Sequence, residues 1–153
     1  MPYHLTIAGD GDENYIDQLK KITVNESTDA HVSWIGFQND DKFDVLRDQD
    51  LLVLPSYNEN FGNVVIESLS VGTAVFVSEH VGLANYVEEN KMGWVCQTDA
   101  ASVGGKINEI ATDKRDDLNR IHQNAPELIS DSFNEDKLVL RYIDMYNEIV
   151  NSR

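Results

Sequence analysis

Apolar and polar positions along this chain follow two rhythms that take turns. His4-Leu5-Thr6-Ile7-Ala8 reads as a strand, ended by the polar loop Gly9-Asp10-Gly11-Asp12. Over 13–22, Tyr15, Ile16, Leu19 and Ile22 recur at helical intervals and predict an amphipathic helix. His31-Val32-Ser33-Trp34-Ile35 is a second strand, closed by Gly36, and a short helix over 40–49 offers Phe43, Val45 and Leu46 for burial. Leu51-Leu52-Val53-Leu54 is a continuous apolar run between Asp50 and Pro55, the pattern of a central buried strand. A helix then starts near Gly62-Asn63 and stops at Gly72, where glycine suits the left-handed position beyond a helix end. The β-branched stretch 73–77 predicts a strand, 83–90 a helix and 93–96 a strand. Beyond Asp99 the pattern is helical, over 101–112, 115–130 and 134–150. The last helix carries Leu138, Tyr142, Met145 and Ile149 at helical spacing.

Strands alternating with helices predict a parallel sheet with both faces covered, an α/β, three-layer, Rossmann-like domain. The 153 residues fit one domain, without internal repeat, low-complexity tract or evident linker. The order of connections also matters: a doubly wound domain normally opens with a strand–helix unit that carries ligand contacts. Here a strand begins almost at once, and charge and apolar pattern leave open whether such a unit precedes it.

Charge narrows the partners. The chain carries 27 Asp and Glu against 12 Lys and Arg, a formal net charge of -15. That argues against a nucleic-acid backbone or an anionic membrane as partner. An anionic ligand would need local attraction from helix dipoles, backbone N–H groups or a few placed cations. Cys96 is the only cysteine, so no disulfide framework or cysteine metal cluster is expected, and a buried structural thiol is the simplest reading. The four histidines, His4, His31, His80 and His122, show no ligand spacing. The opening Met1-Pro2-Tyr3-His4 has no leader pattern, and no apolar run approaches a membrane span, so a soluble cytoplasmic protein is expected.

The chemistry concentrates in the segment 51–77. Parallel strands joined by a right-handed crossover put residues 58–62 at the carboxyl edge of the sheet, where ligands bind in such folds. A helix N-terminus there presents backbone N–H groups and a positive dipole end to a diphosphate. Gly62 permits close backbone approach. Glu59, in the loop, can accept hydrogen bonds from sugar hydroxyls, and Glu67, in the helix, can accept two from the vicinal hydroxyls of a ribose. Spacing alone leaves a second account open, in which Glu67 only complements the helix dipole and Glu59 is simply solvated.

Taken together, Pro55, Ser56, Glu59, Phe61, Gly62, Glu67, Gly72 and Val75 stand in register with P-S-x-x-E-x-F-G-x-x-x-x-E-x-x-x-x-G-x-P-V. That pattern, with its E-x7-E core, is the signature of retaining GT-B glycosyltransferases of family 4, often called group 1, which this chain resembles. Ala74 replaces the usual proline. Flanking segments agree: residues 5–12 resemble the I-x-G-x-G-P strand and turn, and residues 32–37 the V-x-F-x-G strand near the nucleobase. Residues 81–87 resemble G-G-x-x-E-x-V, with Val81 for a glycine and Asn85 for the glutamate. Ser132-Phe133-Asn134 and the Tyr142 to Tyr146 spacing resemble the closing F-S-W and Y-x-x-x-Y helix, whose tyrosines are expected to pack in the core or between domains.

The resemblance implies the C-terminal, donor-binding half of such an enzyme. Glu59 would be the catalytic residue, contacting the transferred sugar as a positioning and electrostatic group, and Glu67 would bind the ribose. Asn60, Phe61, Gly62, Asn63 and Val64 would hold the distal phosphate and sugar, while Phe37 would mark the backbone contacts to the base. The partner would be a nucleotide-sugar, UDP-, GDP- or ADP-linked, with no cofactor and no metal required. The family's Gly-Arg strand end and lysine, which neutralise the departing diphosphate, have no counterpart here, and neither has the acceptor-binding N-terminal domain. The chain alone is therefore expected to be catalytically inert, and any membrane association would come from the absent parts. Polysaccharide or glycoconjugate synthesis is the expected setting. A stand-alone α/β nucleotide-binding or regulatory module and a sugar-nucleotide epimerase half-domain are the rival readings.

Overall fold

The computed structural model describes residues 3–151, except for the side chain of Glu135. The start at Met1-Pro2, read above as lacking a leader, lies outside the described residues. Elements follow in the expected order: β1 (Leu5–Ala8), α1 (Glu13–Asn25), β2 (Val32–Gly36), α2 (Lys42–Arg47), β3 (Leu51–Leu54), α3 (Asn63–Ser70), β4 (Ala74–Ser78), α4 (Ala84–Glu89) and β5 (Gly93–Cys96). Three helices close the chain, α5 (Ala100–Asp113), α6 (Arg115–Ser132) and α7 (Glu135–Asn151). A 3-10 turn at Asp29–His31, which the pattern does not announce, leads into β2. The chain divides into two compact units, Met1–Lys42 and Phe43–Arg153.

In the first unit β1 and β2 pair in parallel, with Leu5 opposite Val32 and Ile7 opposite Trp34. The side chain of Asp12 accepts the backbone N–H of Tyr15 at 2.9 Å, an N-cap that fixes where α1 begins. Ile16, Leu19 and Thr23 form the half-buried stripe of α1. Tyr15 and Ile22, counted above with that stripe, are exposed instead. At about 100° per residue they lie to its side, so the stripe is narrower than four apolar positions suggest.

In the second unit the strand order is β3-β4-β5, all parallel, with Leu51 opposite Ala74 and Val75 opposite Gly93. All five residues of β4 are buried. The expectation that Leu51–Leu54 forms the central strand is corrected here: β3 is half-buried throughout and pairs with β4 on one side of this sheet. β4 takes the centre because both of its edges are hydrogen-bonded and helices cover it. Val65 and Leu69 of α3, Val87 of α4, and Ile121, Ala125 and Ile129 of α6 close the core. The α6 residues recur every four positions, so one face seals against the sheet although Pro126 lies within the helix. On α7, by contrast, Val139, Leu140, Tyr142, Ile143, Met145, Tyr146, Ile149 and Val150 are exposed.

Candidate functional site

Residues 55–62 follow β3 and residues 79–83 follow β4, so both loops leave the carboxyl ends of neighbouring parallel strands. They are joined to each other. The backbone N–H of Glu59 donates to the carbonyl of His80 at 3.1 Å, and that of Gly82 donates to the carbonyl of Glu59 at 2.8 Å. Glu59 and Val81 thereby form a parallel bridge, in effect a one-residue extension of the sheet. The Glu59 side chain stands half-buried at this junction.

Gly62 ends the loop and caps α3, with φ 83 in the left-handed region. A Cβ there would lie 3.0 Å from Val81 Cγ1 and 3.4 Å from Glu59 Cγ, so glycine is required both by conformation and by crowding. No side chain caps α3. The first N–H groups of a helix, here those of Asn63 and Val64, have no intrahelical acceptors, and the dipole at this end favours negative charge. Val65, Ser68 and Leu69 turn into the core. Glu67 stands on another face of the same helix, half-buried. One carboxylate, a glycine and a helix N-terminus thus follow one another at the carboxyl end of β3, and a second carboxylate lies further along α3.

Phe61, at 44% exposure, rests edge-on against Phe133, with ring centroids 6.3 Å apart. Phe133 in turn meets Tyr86 of α4 edge-on at 5.3 Å. The loop is therefore buttressed from the C-terminal end of α6 as well as from the β4–α4 connection. The hydroxyl of Tyr86 is buried among the described residues without a hydrogen-bond partner.

Glu59, Asn60, Phe61, Gly62, Asn63, Val64 and Glu67 all lie in the second unit, on the loop after β3 and on α3. Phe37 belongs to the first unit, directly after β2 and highly exposed. Ser78 and Gly82, which hold the Glu59 loop, were not singled out by sequence. Gly82 was visible only within the 81–87 resemblance, and Ser78 only as a polar end to a β-branched strand. His80 enters through its carbonyl, while its ring lies 3.8 Å from the carboxylate of Glu79. Cys96 closes β5, and burial, followed by the nearby charge of Asp99, pushes its thiol up from the ordinary value.

A family model described as glycosyl transferases group 1 matches residues 1–128. An uncharacterized glycosyltransferase of Methanocaldococcus jannaschii is 32% identical over 111 residues, which is 71% of this chain and 28% of that protein. The N-acetyl-alpha-D-glucosaminyl L-malate synthase of Bacillus anthracis is 24% identical over 148 residues, 95% of this chain and 38% of that protein. Among solved structures, Anabaena HepE in complex with UDP-glucose superimposes with a TM-score of 0.77 at 21% identity, covering 98% of this chain and 41% of that one. The chain spans well under half the length of each of these proteins.

Proposed function

The chain belongs to the glycosyl transferases group 1 family, with the fold of GT-B glycosyltransferases, and on that footing we propose that it is the sugar-nucleotide-binding domain of a retaining enzyme. The observation that carries the proposal is the Glu59 loop, bridged to the residues after β4 at the carboxyl end of the strands, leading through left-handed Gly62 into α3, which carries Glu67. In this role the N–H groups of Asn63 and Val64 hold the diphosphate, and Glu67 accepts two ribose hydroxyls. Glu59 accepts from the transferred sugar and stabilises positive charge developing at its anomeric carbon. Asn60 and Phe61 bound the sugar pocket. The UDP-glucose bound by HepE supports this ligand class.

Retention of configuration follows, in this scheme, from attack on the same face that the diphosphate leaves. The acceptor oxygen bonds to the anomeric carbon as the sugar–phosphate bond breaks, and the departing phosphate oxygen takes the acceptor proton. No metal enters the scheme. Charge on the leaving group is met by the helix dipole and by cations from outside this chain, so the chain alone binds donor and does not transfer sugar. An acceptor-binding domain elsewhere in the whole protein is the partner that would cover the apolar face of α7. The proposed setting is polysaccharide or glycoconjugate biosynthesis.

Equilibrium dialysis with UDP-glucose, GDP-mannose and ADP-glucose tests the proposal. One should bind with a Kd on the order of millimolar, and Glu67→Ala should abolish that binding with the fold intact. Equal indifference to all three, together with indifference to Glu67→Ala, would reject the donor site.

A further inference from the structure

We propose that Ser78 and Gly82 are positioning residues that clamp the Glu59 loop and so set the carboxylate for the donor sugar; the inference rests on the donor-site reading above. Ser78 is fully buried at the carboxyl end of β4. Its hydroxyl donates to the carbonyl of Ser56, the first loop residue after Pro55, and accepts the backbone N–H of His80 at 3.3 Å. One side chain therefore ties both loops of the site to the central strand. A buried hydroxyl with both capacities used behaves as a rigid bracket, because releasing either partner leaves a buried polar group unsatisfied.

Gly82 completes the clamp on the far side of Glu59. Its N–H takes the Glu59 carbonyl at 2.8 Å, and its backbone runs so close to the loop that a Cβ would lie 2.0 Å from the Asn60 carbonyl oxygen. Any side chain there must push residues 60–61 away from the β4–α4 connection. The backbone of Glu59 is fixed at its N–H, which donates to the His80 carbonyl, and at its C=O, which accepts from Gly82, while Ser78 holds both His80 and Ser56. Its carboxylate then has only side-chain torsions left to order, which lowers the cost of holding a sugar. Neither clamp residue stands on α3, so the grip acts on the sugar end of the site more than on the Glu67 end.

That asymmetry supplies the test. Ser78→Ala, Ser78→Thr and Gly82→Ala are compared with wild type by amide hydrogen exchange and by titration with UDP-glucose, GDP-mannose and ADP-glucose, each against its bare diphosphate. Ser78→Ala and Gly82→Ala should speed exchange at Glu59 and Gly82 about tenfold while the amides of Val75, Phe76 and Val77 keep their protection. They should weaken the preferred sugar nucleotide about tenfold and its bare diphosphate less than about twofold. Ser78→Thr, which keeps the hydroxyl, should restore both readouts. Unchanged exchange at Glu59 in both alanine variants would overturn the clamp whatever the ligand. Equal weakening of sugar nucleotide and diphosphate would overturn the positioning role and leave only a structural one. A wild-type chain that binds none of the probes would contradict the donor reading, and the exchange result would then decide the clamp by itself.

Discussion

The hydroxyl of Thr73 donates to the carbonyl oxygen of Leu46 at 2.7 Å, and both residues are buried. The bond ties the end of α2 to the start of β4, the most buried strand of the second unit. Thr73→Val keeps the shape and removes the donor, leaving the Leu46 carbonyl only the backbone N–H of Gln49 at 3.1 Å. A loss of about 1 kcal/mol is expected, read as a lowered urea midpoint at constant slope, and Thr73→Ser should recover part of it. Wild-type stability in Thr73→Val would show that the bond from Gln49 is enough for this carbonyl.

Cys96 should be a slow thiol. Burial raises its pKa first, and the charge of Asp99 adds to the shift. Its thiolate fraction near neutrality is therefore below that of an unperturbed cysteine. Alkylation by iodoacetamide in the folded chain should lag behind a model thiol at pH 8 and accelerate at higher pH than the model does. A rate above the model thiol would instead mark Cys96 as activated.

The acid limb of stability should involve Asp99. It caps α5, accepting the backbone N–H of Ser102 at 2.9 Å, and hydrogen bonding with Ser102 holds its carboxyl below the ordinary value. A carboxyl depressed in the folded state stabilises above its unfolded pKa and loses that contribution as pH falls through the folded pKa. Melting temperature should therefore drop below about pH 4, and the drop should be shallower in Asp99→Asn, which keeps an acceptor that does not titrate in this range. An identical acid limb in the variant would remove Asp99 from the account.

The exposed apolar residues of α7, among them Leu140, Ile143 and Tyr146, predict weak self-association of the isolated chain. Sedimentation velocity over a concentration series should show the average mass rising, and Ile143→Glu with Tyr146→Glu should return it to monomer. A clean monomer at high concentration would count against an apolar docking face.

Local structure was legible in the sequence because period and punctuation are local. Gly36 and Gly72 mark the ends of a strand and a helix, and both adopt positive φ. Asp12 and Asp99 sit at helix starts and accept the backbone N–H groups of Tyr15 and Ser102. Pairing was less legible. Leu51–Leu54 and Ala74–Ser78 are both apolar, and composition does not say which has neighbours on two sides. Tyr142 and Tyr146, expected to pack in the core or between domains, lie outside the core of this chain, because helical spacing defines a stripe without saying what covers it. At the candidate site, spacing and resemblance single out Glu59, Gly62 and Glu67, and the structure adds the left-handed backbone of Gly62. The grip of Ser78 on Ser56 was not legible, since it spans 22 positions and uses a main-chain carbonyl that carries no sequence signal.

The most direct measurement is chemical-shift mapping of the labelled chain with UDP, GDP and ADP and with the glucose conjugate of the best binder, repeated in Glu67→Ala. One base should be preferred, with shifts at residues 61–64 and at Glu67, and the variant should lose them. Shifts scattered over the surface, equal for all three nucleotides and unchanged in Glu67→Ala, would contradict a donor site at this sheet edge.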